Sequence, residues 1–168
     1  MLYILDANIL ITAHNNYYPI DTVPEFWEWL CYQGEKGILK IPVEIIEEIL
    51  EGPKEGDLLQ IWLKDKSNRD HLELKEDVDG HILEKVVLSG YANDLTDDEF
   101  EQIGRDPFLI AYGLAANSRC VVTVETSAPS KKRHNKKVPD VCAAFNLPCT
   151  GPFKLYRELG FSTSWART

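Results

Sequence analysis

The sequence predicts an α/β protein, a three-layer α/β/α sandwich built on a mainly parallel sheet. Three observations predict it. Short apolar runs that fit buried strands recur along the chain: LYIL at 2–5, ILKI at 38–41 and the β-branched CVVTV at 120–124. Helical patterns lie between these runs, and strand–helix alternation of this kind builds βαβ units. Two of the runs end on a carboxylate, Asp6 and Glu125. In parallel sheets, ligands bind beyond the carboxyl ends of the strands.

The elements follow in order. After the first strand, residues 9–11 lead into a polar stretch with His14, Asn15, Asn16 and two tyrosines. Asp21 or Thr22 is a candidate cap for a helix over 25–33, with Pro24 in its first turn and Phe26, Trp27, Leu30 and Cys31 on its apolar face. The second strand gives way at Pro42 to the helix VEIIEEIL, which stops at Gly52-Pro53. A helix over 56–65 is followed by a short strand at 72–74 and a helix over 82–92. Thr96 and Glu99 have capping-box spacing ahead of another helix. Asp106-Pro107 opens the nearly all-apolar FLIAYGLAA, whose composition predicts a buried helix. Residues 138–145 fit a strand or a short helix, and a last helix is expected near 151–159. No linker or repeat divides the chain, so residues 1–168 are expected to form one domain.

Composition narrows the class. At 168 residues, 44% hydrophobic and 27% charged, the chain has the profile of a soluble globular protein. No apolar run nears the ~18 residues of a membrane span. The N-terminus lacks a basic leader region, so a cytoplasmic location is expected. Cys31, Cys120, Cys142 and Cys149 show no zinc-site spacing and are too few for a disulfide framework, so reduced thiols are expected. The net charge is -9, unlike a simple phosphate-backbone binder. Yet Lys131, Lys132, Arg133, Lys136 and Lys137 place five positive charges within seven residues.

Four acids stand out by context: Asp6 at a strand end, Glu48 on a helix with Glu44 and Glu47 as competitors, Asp106 at the start of the most apolar helix, and Glu125 at the end of the strongest strand. Each has a structural alternative. Asp6 and Asp106 suit helix caps, the helix glutamates suit a solvated face, and Glu125 suits a surface loop. Their joint pattern suggests a shared cleft. Converging carboxylates repel and raise one another's pKa, and divalent cations relieve this. Mg²⁺ or Mn²⁺ so held supports phosphodiester hydrolysis.

The segments LDANIL (5–10), IPVEIIEEIL (41–50), RDPFLIAYGLA (105–115) and CVVTVE (120–125), taken in order, resemble the PIN domain family of metal-dependent nucleases. The tail, VETSAPSKKRHNKKVPDVCAAFNLPC followed by FKLYRELGF, is similar to the narrower PIN-like DUF4411 type. The resemblance implies Asp6, Glu48 and Asp106 as ligands of Mg²⁺ or Mn²⁺, Glu125 as the fourth acid, and Asn8 and Thr123 as groups orienting them. Glu125 is one methylene longer than the family's usual Asp. Glu47 and Glu48 adjoin and point about 100° apart on a helix, so one of them faces the cleft; Glu48 matches the family pattern through Ile49-Leu50. The resemblance further implies an endoribonuclease, as in VapC-like toxins of prokaryotic toxin–antitoxin pairs, with an RNA substrate, an antitoxin partner and a homodimer. A PIN-fold binding module and a housekeeping RNA-processing nuclease are the alternatives.

The basic run at 131–137 either grips phosphates beside the cleft or is a solvated loop. His134 within it is a remote candidate for a general base. Trp27 and Trp62 fit the core or an interface, and Trp165 sits in a polar tail where a partner could use it. Serine-elbow, P-loop and dinucleotide-binding motifs are absent. LDANIL also resembles an aspartate-phosphatase strand, but Asn8 stands where that chemistry needs a second acid.

Overall fold

The computed structural model describes residues 1–52 and 57–167. Its centre is a five-stranded, all-parallel sheet in the order β3-β2-β1-β4-β5. The strands are β1 (Leu2–Leu5), β2 (Leu39–Pro42), β3 (Glu73–Leu74), β4 (Arg119–Val122) and β5 (Cys149–Thr150). β1 is central. Its Tyr3 pairs with Leu39 of β2 on one side and with Cys120 of β4 on the other. Strand order reverses direction here: the chain first steps outward from β1 to β2 and β3, then returns to β4 on the opposite flank. A crevice opens beyond the strand ends at such a switch point.

Ten α-helices among the described residues flank the sheet in the three-layer arrangement. They are α1 (Ala7–Thr12), α2 (Pro24–Glu35), α3 (Val43–Leu50), α4 (Leu58–Lys64), α5 (Lys66–Leu72), α6 (Gly80–Lys85), α7 (Asp97–Ile103), α8 (Asp106–Leu114), α9 (Val138–Ala144) and α10 (Pro152–Glu158). Two of them run on into π-helical turns, α1 through Ala13–Tyr17 and α6 through Val86–Tyr91.

Ile4 and Leu5 of β1 and Val121 and Val122 of β4 are fully buried, as strands covered on both faces must be. α8 lies against β4 at short range because of Gly113, where a Cβ would stand 2.7 Å from Leu147 and 2.9 Å from Val121. Leu109, Ile110 and Ala111 of α8 are buried, as its composition predicts. The capping box is formed: Thr96 Oγ1 accepts from the Glu99 amide (3.3 Å), and Glu99 accepts from the Thr96 amide (3.0 Å).

Several local expectations are corrected. The polar stretch after β1 is helical, and His14 is held inside it by the Ile20 amide (3.3 Å) and Asp57 (3.3 Å). Val23 takes the cap position of α2, without a side-chain bond, in place of Asp21 or Thr22. α4 starts at Leu58 under a cap from Asp57; its expected start at 56, like Pro53, lies outside the described residues. α5 and β5 are additional elements, and residues 138–144 are helical. Trp27 and Trp29 are buried in the core, and Trp165 is docked, its indole N–H donating to the Glu25 carbonyl (2.9 Å) and its ring packing on Tyr32. All four cysteines are free.

Candidate metal centre

Asp6 directly follows β1, and its amide completes the ladder to the Val122 carbonyl at 2.9 Å. It holds the cap position of α1 yet makes no capping bond with its side chain. Instead Asp6 Oδ2 accepts from Thr123 Oγ1 at 2.7 Å. Thr123 follows the last residue of β4, so the bond spans the switch point. A hydroxyl has one proton and two lone pairs. Both lone pairs of Thr123 are taken, by Asn8 Nδ2 (3.2 Å) and by the Glu125 amide (3.1 Å), so its proton is directed onto Asp6. Asn8 is fixed in turn by the Val124 amide on its Oδ1 (3.1 Å). Asn8 and Thr123 therefore orient Asp6, the geometry expected of supporting groups.

Asp6 is only 5% exposed. Burial raises its pKa; the Thr123 hydroxyl and the nearby amides of Ala7 and Asn8 oppose this, and Glu125 adds to it. Asp106 is the first residue of α8, with Arg105 in the cap position, so it does not serve as the cap. Among the described residues its carboxyl has no hydrogen-bond partner. Burial, then Asp6, Glu125 and Glu48, push its pKa up to about 8, with Lys137 opposing. Glu48 is open to solvent on one side, yet enough protein surrounds its carboxyl to raise the pKa, and Asp6 raises it further while Arg105 opposes.

The three helix glutamates are distinguished by their partners. Glu44 accepts from Tyr112 Oη (3.3 Å), and Glu47 lies 3.5 Å from Arg105. Glu48 is the one whose charge couples to Asp6 and Asp106. Arg105, which stood out in no motif, binds α3 to the start of α8. It donates to the Glu44 carbonyl and pairs with Glu51 at 2.7 Å as well as with Glu47. Its position beside Asp106 in the RDP segment was the available signal.

Glu125 is in a different state from the other three. Its Oε1 accepts from Lys137 Nζ (2.9 Å) and its Oε2 from the Val138 amide (2.8 Å) at the start of α9. Among the described residues, no three His, Cys, Asp or Glu side chains are drawn together tightly enough to hold a metal ion as they stand. The donor set is nonetheless all oxygen and short of positive charge, which matches what Mg²⁺ or Mn²⁺ requires.

The basic run is docked. Arg133, at φ 56°, pairs with Asp94 (2.7 Å) and Glu99 (2.7 Å). His134 meets Glu99 at 2.9 Å, and Lys136 donates to the Gly90 carbonyl at 2.7 Å. Lys131 and Lys132 are exposed, and their ammonium groups make no polar contact among the described residues. No described helix is long and apolar enough to cross a membrane.

No curated protein and no solved structure matches the chain. A family model described as "Domain of unknown function (DUF4411)" matches residues 3–163, from β1 through α10 and across all four acids. The chain belongs to the DUF4411 family.

Proposed function

We propose that this protein is a PIN-type, Mg²⁺- or Mn²⁺-dependent endoribonuclease. One observation carries the reading: burial raises the pKa of Asp6, Glu48 and Asp106 at the sheet's switch point, Asp6 raises Glu48, and Asp6, Glu125 and Glu48 add to burial at Asp106, which has no hydrogen-bond partner among the described residues and is shifted to about 8. Such a grouping is costly for a fold to keep without a cation. Asp6, Glu48 and Asp106 would hold the ion, with Glu125 acting from its pair with Lys137. A divalent ion bound there supplies an activated water and neutralises charge on a phosphodiester. The chain's own groups do the rest. Asn8 and Thr123 fix Asp6, Arg105 sets the helix that carries Glu48, and Lys131 and Lys132 attract the RNA backbone. In the hydrolysis a water oxygen bonds to phosphorus as the P–O ester bond breaks, and the proton the water gives up ends on the leaving alcohol oxygen. The resemblance to small PIN toxins supports a toxin of a toxin–antitoxin pair, acting in the cytoplasm with an antitoxin partner and as a homodimer. The test is RNA cleavage by the purified protein with Mn²⁺, against Asp6→Asn; equal activity in the two proteins refutes the assignment.

The Lys137–Glu125 pair favours a second reading, in which the fold is a binding module with little catalysis. Divalent ions then leave the melting temperature unchanged, whereas ligation raises it.

A further inference from the structure

Two buried side-chain oxygens among the described residues have no hydrogen-bond partner, Glu44 Oε2 and Tyr91 Oη. The other oxygen of Glu44 is held by Tyr112. Tyr91 has nothing, although it is only 4% exposed. A buried phenol normally finds a partner, because leaving one without is destabilising.

Its surroundings identify the missing partner. Tyr91 ends the π-helical turn Val86–Tyr91, which packs beside α8 and α9. π-helical turns are rare and recur at functional sites. The backbone here is fixed from two sides. Lys136 donates to the Gly90 carbonyl (2.7 Å), and Gly90 lies so close to α9 that a Cβ would stand 2.8 Å from Val141 and 3.0 Å from Phe145. The charge that acts most strongly on the phenol is Asp106, with Glu125 and Asp6 contributing. Among the described residues, Asp106 in turn has no hydrogen bond to its carboxyl. A donor without an acceptor and an acceptor without a donor are thus neighbours, and the donor is held in place.

We propose that Tyr91 is a positioning residue of the acid cleft, its hydroxyl donating to the Asp106 carboxylate when the acids close on a divalent cation. The proposal rests on the metal reading of the cleft and extends it to a residue outside the acid motifs. It also gives Lys136 a task other than gripping RNA, namely anchoring the turn that presents Tyr91.

The test is Tyr91→Phe in the full chain, read by Mn²⁺ titration calorimetry and by melting with and without Mn²⁺. Loss of an unpaired hydroxyl leaves the protein at least as stable without divalent ions. Mn²⁺ affinity falls about tenfold, as for a lost hydrogen bond to a charged group, and the melting rise given by Mn²⁺ shrinks. In an Asp106→Asn background, Tyr91→Phe has no further effect on Mn²⁺ binding. Unchanged Mn²⁺ affinity in Tyr91→Phe, with wild type binding normally, overturns the Tyr91 proposal alone. Wild type that fails to bind Mn²⁺ overturns the metal reading and this proposal together.

Discussion

The two ends of β4 solve the same electrostatic problem in opposite ways. At its start, Arg119 is 8% exposed, donates to both Glu76 oxygens at 2.8 Å and gives a further bond to the Tyr112 carbonyl at 2.9 Å. Tyr112 Oη then reaches Glu44 and the Glu76 carbonyl. Charge meets opposite charge at Arg119 and Glu76. Just past its other end, Thr123 holds Asp6 beside Asp106 and Glu48, and the nearby cations Lys137 and Arg105 pair with Glu125 and with Glu47 and Glu51. One end pairs its charges, and at the other burial and neighbouring carboxylates raise the acids' pKa values. The proposed function assigns the second end to a cation.

The largest break in this comparison comes at the open end. Asp106→Asn is expected to lower Mn²⁺-dependent RNA cleavage by about a thousandfold, on the scale of losing one preorganised group in a charge-stabilising site, measured by single-turnover kinetics.

pH separates the two ends next. Asp106 binds its proton more tightly folded, at about 8, than at its ordinary value of 3.8. Between those values the native state holds more protons than the unfolded chain, so without divalent ions stability falls as pH rises through that window and levels off above it. Asp6 and Glu48 act in the same direction. The slope from Asp106 is at most about 1.4 kcal/mol per pH unit, less for a half-buried group. Glu99, held well below its usual range by Arg133, acts oppositely, so its contribution is lost on acidification. Melting curves across pH should therefore show a maximum on the mildly acidic side, and Asp106→Asn should flatten the alkaline decline.

At the closed end, Arg119→Ala is expected to cost about 2 kcal/mol through orphaned partners, or roughly 4–8 °C in melting temperature for a chain of this size. The Mn²⁺-induced melting rise should be unchanged. The smallest effect belongs to the surface: Lys131→Ala with Lys132→Ala should weaken RNA binding several-fold and reduce the salt slope by about 2 if both contact phosphates, as fluorescence anisotropy at several salt concentrations would show.

What was legible in the sequence follows from where each signal resides. β1, β4 and α8 are carried by local apolar content, and Asp6, Asp106 and Glu125 stand at their ends, so both the fold and the candidate acids could be read. α5 could not. Its segment KSNRDHL has no apolar stripe, and the helix depends on Asp65 accepting from the Ser67 amide. β5 has two residues and becomes a strand only by pairing with Val121 and Val122. The basic run could be counted but not placed, because its partners Asp94 and Glu99 lie more than thirty residues away. Tyr91 gains its position from three-dimensional convergence, which no local pattern encodes, and Arg105 was marked only by its place beside Asp106.

Calorimetric Mn²⁺ titration near pH 7, repeated in buffers of different ionisation enthalpy, tests the central claim most directly. With the Asp106 pKa raised to about 8 by burial and by Asp6, Glu125 and Glu48, binding should release a proton, and Asp106→Asn should lose both the tight binding and the release. No binding, or binding with no proton released, would contradict the account.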